Sequence, residues 1–116
     1  MDSRKLARFC LELADEKKAE DPVILDVRKL TTITNYFVIV TGNSEPHLRA
    51  IFEGVLEKLE QQHAVRPRAV DGNLCSSWVV LDIDDVIMHI MRAEARQHYD
   101  LEGLWGDAQR VRVRLK

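Results

Sequence analysis

The succession of apolar patterns along the 116 residues predicts an α/β (α+β) fold: a single domain with a mixed four- or five-stranded sheet flanked by helices. Two observations carry this expectation. Helical periodicity and strand-like runs alternate as helix, strand, strand, helix and then several strands, an order that builds layered α/β and α+β domains. The runs Trp78–Leu81 and Val86–Met91 are also apolar at both parities, the pattern of strands covered on two faces, so helices should lie over the sheet. With 46% hydrophobic and 31% charged residues, a chain of this length can bury one modest core and has no room for two domains.

Asp2 or Ser3 can cap a first helix in which Leu6, Phe9, Cys10, Leu13 and Ala14 share one face at i, i+3, i+4, i+7, i+8 spacing. Pro22 disfavours helical backbone at Asp21 and closes the charged run that starts at Asp15. Val23, Leu25 and Val27 form one apolar strand face. Lys29 to Asn35 is rich in hydroxyls and reads as a loop, and the continuous β-favouring run Tyr36–Val40 is the best candidate for a central strand. Ser44 caps the clearest helix, with Pro46 in its first turn and Leu48, Ile51, Phe52, Val55, Leu56 and Leu59 on one stripe. Arg68–Val70 is at most a short strand before the Asp71-Gly72 turn signal. Trp78–Leu81 and Val86–Met91 then pair through the acidic tetrapeptide Asp82-Ile83-Asp84-Asp85.

After Met91 the pattern changes. Tyr99, Leu101, Leu104 and Trp105 are interleaved with Glu94, Arg96, His98, Asp100 and Glu102, a density of large apolar side chains that a connecting segment does not need for packing alone. The segment reads as half core edge and half binding surface. Residues 1–109 form the domain, and 110–116 a basic tail whose alternation of Val111, Val113 and Leu115 with Arg112, Arg114 and Lys116 suits an edge strand with a solvated basic face.

Charge narrows the partners. The chain carries 17 basic and 19 acidic side chains, but Arg110, Arg112, Arg114 and Lys116 fall in the tail, which leaves 13 basic against 19 acidic, or −6, over the body. An acidic body disfavours a broad nucleic-acid interface and favours a basic protein partner. No apolar run approaches the roughly 20 residues that span a bilayer, and the first residues are charged and amphipathic, so a cytoplasmic protein with no membrane partner is expected. Cys10 and Cys75 lack metal-ligand spacing and read as two reduced thiols; neither a metal nor a cofactor is expected. Thr41-Gly42-Asn43-Ser44 has neither the lysine of a Walker loop nor the repeated glycines of a dinucleotide fingerprint, and reads as a structural turn.

Five separated blocks, Asp21-Pro22-Val23-Ile24-Leu25-Asp26-Val27, Ile33-Thr34-Asn35-Tyr36-Phe37-Val38-Ile39-Val40-Thr41-Gly42, Trp78-Val79-Val80-Leu81-Asp82, Val86-Ile87-Met88-His89 and Tyr99-Asp100-Leu101-Glu102-Gly103-Leu104-Trp105, resemble the ribosomal silencing factor (Iojap-like) family in the family's order. The last block, following a Trp-containing hairpin, is the most specific. The resemblance implies a nucleotidyltransferase-like fold without catalytic residues. It further implies binding to a basic protein, protein fourteen, on the inter-subunit face of the large ribosomal subunit. Occupying that face would sterically block subunit joining and repress translation under nutrient limitation. Asp84 stands where members often have glycine, and Asn73 where they often have an acidic residue.

The rival reading is a metal-dependent enzyme of the nucleotidyltransferase type, which would use Gly42-Asn43-Ser44 as its loop and Asp82-Ile83-Asp84 as its carboxylate pair. About forty residues and an extra element separate the two, whereas enzymes of that type place the acidic pair on the strand shortly after the loop and its helix, so no catalytic residue is assigned. His89, in an apolar strand, reads as a core or interface histidine. The favoured site is a docking surface with Trp78, Tyr99, Leu101, Leu104 and Trp105 as apolar anchors and Asp82, Glu94, Asp100 and Glu102 as acidic complement. When free, the same surface could pair two copies as a homodimer, and the tail could make a minor contact with ribosomal RNA.

Overall fold

The computed structural model describes residues 2–73, 75 and 77–113, with the backbone alone at 73. Its elements are α1 (Ser3–Glu16), β1 (Glu20–Asp26), β2 (Tyr36–Thr41), α2 (Glu45–His63), β3 (Ala69–Asn73), β4 (Trp78–Ile83), β5 (Val86–Met91), α3 (Ala93–Tyr99), α4 (Leu101–Leu104) and β6 (Gln109–Arg110). The caps lie where the sequence puts them. Asp2 accepts from the Lys5 amide at 2.8 Å and Ser44 from the His47 amide at 3.2 Å, each satisfying a donor that a helix start otherwise leaves unpaired.

The strands form one mixed sheet in the order β3-β4-β5-β2-β1-β6. β2 and β5 run parallel in a register from Tyr36↔Val86 to Thr41↔Met91, and the other pairs are antiparallel. The sheet therefore has six strands where four or five were expected. The sixth, β6, is only two residues long and comes from the boundary of the tail. Beyond it the Val111 amide donates to the Ile24 carbonyl at 2.9 Å, and Val111 and Val113 pack on the main core; 114–116 lie outside the described residues.

Strand parity divides the core into two clusters. Ile24, Val38, Val40, Val79, Leu81, Val86, Met88 and Ile90 face α1 and α2, where Leu6, Cys10, Leu13, Leu48, Ile51, Val55 and Leu59 complete the larger cluster. Burying each such aliphatic side chain is worth about 1.5–3 kcal/mol, so this face supplies most of the stability. Leu25, Val27, Phe37, Ile39 and Met91 face the other way, covered by Ala95, Leu101, Trp105 and Ala108.

Two expectations change, and one segment gains its structure. The hairpin turn is Asp84-Asp85 alone, because Ile83, fully buried, continues the inward parity of Val79 and Leu81 and carries the strand on. The segment after Met91, to which the sequence pattern assigns no secondary structure, forms two short helices; Ala93, Glu94, Ala95 and Arg96 are all good helix formers. Coverage of β4 is one-sided, since Trp78, Val80 and Asp82 alternate as half-buried positions with buried Val79, Leu81 and Ile83. Apolar residues at both parities here mark a partly open face.

Candidate surface at the start of β4

Trp78 opens β4 beside the carboxyl end of β5, opposite Met91, and the Arg92 amide donates to the Ser77 carbonyl at 2.9 Å. The chain then turns into α3, whose last residue, Tyr99, lies over Trp78 with ring centroids 4.7 Å apart at 43°. Offset aromatic pairs of this kind gain about 0.5–1.5 kcal/mol beyond area burial. Tyr99 stays 53% exposed against the half-buried tryptophan, and Leu104, one short helix further along the chain, is 75% exposed.

Beneath the indole lies His89. Trp78 Nε1–H donates to His89 Nδ1 at 3.1 Å. The indole nitrogen is a donor only, so Nδ1 is the unprotonated nitrogen and the proton of the neutral ring sits on Nε2. That Nε2 is the buried side-chain polar atom without a hydrogen-bond partner among the described residues, a defect that costs about 1–3 kcal/mol. Burial pulls the His89 pKa down to about 4, and Phe37 packs edge-on at 5.4 Å.

The nine residues selected from the sequence are not all on this surface. Trp78 and Tyr99 form it, and Glu94, Asp100 and Leu104, on and just after α3, are exposed. Asp100, at φ 47°, accepts from the Gly103 amide at 3.1 Å and caps α4. Asp82 lies four residues along β4 on the parity of Trp78, about 13 Å away, and pairs with Arg68 at 3.2 Å. Leu101 and Trp105 are half-buried and pack onto the smaller core cluster, the Trp105 ring meeting Phe37 at 5.1 Å. Glu102 is committed within the chain, bonded to Arg96 Nε at 2.7 Å and Arg110 Nη2 at 3.3 Å. The hydrogen bond from Arg96 holds its carboxyl below the ordinary carboxylate range. Sequence reasoning missed Val80 and Ile87, half-buried on the same open face; both were read as covered. Their parity with Trp78 and His89 was the available signal.

Elsewhere the chemistry is spoken for. An open depression of about 510 Å³ beside Thr41 is lined by Arg96, Glu102 and Arg110, whose charges bind one another. Asp84 sits in a left-handed turn at φ 52° and its carbonyl accepts from Arg68, which also holds Asp82, so this pair is a turn feature. Among the described residues no group of three or more His, Cys, Asp or Glu could hold a metal, and no helix is long and apolar enough to cross a membrane. In the Gly42 turn, the Asn43 amide donates to His47 Nδ1 at 2.9 Å, and a Cβ on Gly42 would meet Leu48 Cδ2 at 2.9 Å. Glycine is there for close packing, and the turn keeps its donors for itself.

A family model described as "Ribosomal silencing factor during starvation" matches residues 1–116. The "Ribosomal silencing factor RsfS" of Halalkalibacterium halodurans is 34% identical over 113 residues, covering 97% of this chain and 96% of that protein. "Mitochondrial assembly of ribosomal large subunit protein 1" of Mus musculus is 30% identical over 98 residues, 82% of this chain and 42% of that one. A crystal structure of a Chromobacterium violaceum protein superposes with a TM-score of 0.86 at 28% identity, over 100% of this chain and 95% of that chain.

Proposed function

The chain belongs to the ribosomal silencing factor family, and from that premise we propose that it docks on a basic protein, protein fourteen, of the large ribosomal subunit's inter-subunit face. There it sterically blocks subunit joining and represses translation when nutrients are short. The family role is ribosome-associated silencing of translation; the partner and the steric mechanism are the reading argued here. In this reading the chain is a regulator with no catalytic step of its own.

The observation that carries the docking reading is the exposed Tyr99 ring against Trp78, with an exposed Leu104 five residues along the chain and the acidic residues Glu94 and Asp100 on the same short segment; Asp82 lies further along β4. Aromatic anchors ringed by charge are the usual composition of a protein interface, and the acidic set complements a basic partner. A relative named for assembly of the mitochondrial large subunit supports the choice of subunit. The basic tail adds a minor contact with ribosomal RNA, and the ring surface pairs two copies when no ribosome is present; salt dependence of binding and sedimentation of the free protein test these two additions separately.

The principal test is pelleting with purified large subunits, followed by addition of small subunits. The protein should pellet with large subunits, and the joined particles should decline in proportion to its occupancy. Absence from the pellet, or full joining at saturating occupancy, would overturn the proposal.

A further inference from the structure

Resting on the docking surface proposed above, we infer that His89 is a positioning residue for partner recognition: its Nδ1 holds the Trp78 indole in the pose that presents Trp78 and Tyr99 together. The register places Val80 directly opposite His89 and Met91 opposite Trp78, so the histidine and tryptophan are diagonal neighbours on one face, a spacing that only long side chains bridge. Strand pairing therefore does not set the indole's direction by itself. The hydrogen bond at 3.1 Å does, and Tyr99, stacked at 4.7 Å, takes its position from the indole.

Packing alone is a poor account of His89. The residue is 7% exposed and its Nε2–H has no partner among the described residues, whereas a phenylalanine would fill similar space beside Phe37 without that buried donor, at the expense of the acceptor that the half-buried Trp78 N–H now uses. What the histidine adds is an acceptor aimed at the indole. Burial keeps the ring neutral well below physiological pH, so that acceptor is continuously available. A recognition ring held in place before the partner arrives loses less freedom on binding, and the gain appears as affinity.

The test uses His89→Phe, His89→Asn, Trp78→Phe and Trp78→Ala in the full chain, with thermal melting, large-subunit pelleting and the indole N–H resonance of Trp78, assigned in a Trp105→Phe background. His89→Phe, which removes one unpaired donor and leaves the Trp78 N–H without its acceptor, should melt near the parent temperature, shift that resonance and weaken binding by about fivefold to tenfold. His89→Asn, which keeps an acceptor, should restore both. Trp78→Phe, which removes only the donor and part of the ring, should weaken binding similarly, and adding His89→Phe to it should cost less than about twofold more. If His89→Phe binds within about twofold of the parent while Trp78→Ala loses binding, the positioning role is overturned and the docking surface stands. If Trp78→Ala binds like the parent, the docking surface itself is overturned and the positioning role falls with it. Should His89→Phe fail to fold, Trp78→Phe decides alone, and parent-like binding by that variant overturns the role.

Discussion

The Arg96 guanidinium donates to the Thr41 hydroxyl at 2.9 Å across 55 residues of sequence, fastening α3 to the end of the central strand. Its Nε simultaneously bonds Glu102 at 2.7 Å, with side chains only 11% and 23% exposed. Glu102→Ala strands a nearly buried guanidinium and should cost about 2–3 kcal/mol in urea denaturation, with Glu102→Gln nearer 1 kcal/mol. A loss below about 0.5 kcal/mol would show that the bridge is incidental. Charge reversal at Glu102 therefore tests the fold before it tests docking.

His89 and Glu102 both contribute to the acid limb of stability. His89 is held down to about 4 by burial against an ordinary value near 6.5, so the unfolded chain takes up a proton there as pH falls through 6.5 while the folded chain does not until about 4. Stability drops across that window, by on the order of 2 kcal/mol between pH 7 and 5. Glu102, depressed chiefly by the hydrogen bond from Arg96, contributes stability above the unfolded carboxylate pKa and loses it as pH falls through its folded value. Denaturation midpoints should accordingly fall less for His89→Phe than for the parent between pH 7 and 5, and Glu102→Gln should flatten the curve only at lower pH. Parallel curves for parent and His89→Phe would contradict the burial of a neutral ring.

The two thiols should separate cleanly. Cys10 is fully buried and its pKa is pushed up to about 12 by burial, while Cys75 is exposed and raised by its hydrogen bond to Glu45 at 3.3 Å. Alkylation at pH 8 followed by mass spectrometry should add one label to the native protein, faster in Glu45→Gln, and a second only in denaturant. Two labels on the native protein would mean that α1 does not pack as described.

How far the sequence speaks follows from the kind of signal each element carries. The Leu48–Leu59 stripe and the Ser44 cap announce α2 because a single face of a single helix is visible in local spacing. The run Tyr36–Val40 announces a central strand because only burial on both faces tolerates such a run, and every residue of β2 is buried. Val80 and Ile87 defeat the same logic: apolar parity says a face is apolar, whereas whether α3 reaches far enough to cover it is set by tertiary packing. The Arg96–Thr41 and Trp78–His89 bonds have no local signature, since their partners meet only after β2, β4 and β5 are side by side. The contact of Trp105 with Phe37 is likewise invisible locally, because it depends on how α4 folds back over β2.

Trp105 and Leu104 are adjacent and should behave oppositely. Trp105→Ala removes a ring from the smaller core cluster and should cost about 3 kcal/mol, losing binding only as it loses fold. Leu104→Ala changes a side chain that is 75% exposed; stability should stay within about 0.5 kcal/mol while large-subunit binding weakens about tenfold or more. Calorimetry beside pelleting reads both. Parent-like binding by a folded Leu104→Ala variant would remove that residue from the interface.

Asp82 offers the cleanest view of the charged half of the surface. Its side chain is 37% exposed and its partner Arg68 62% exposed, a pair that contributes at most about 1 kcal/mol to stability, so Asp82→Arg should remain folded. Charges at the rim of an interface steer encounter more than they hold the complex. The variant should therefore associate with large subunits severalfold more slowly at low ionic strength, with little change in dissociation. Salt supplies the internal control: the screening length shrinks from about 10 Å at 0.1 M to about 3 Å at 1 M, so parent and variant should converge as salt rises. Leu104→Ala, an apolar truncation, should instead dissociate faster at every salt concentration. Stopped-flow association measured across that range distinguishes the two effects, and an Asp82→Arg variant that associates at the parent rate in low salt would take Asp82 off the docking face.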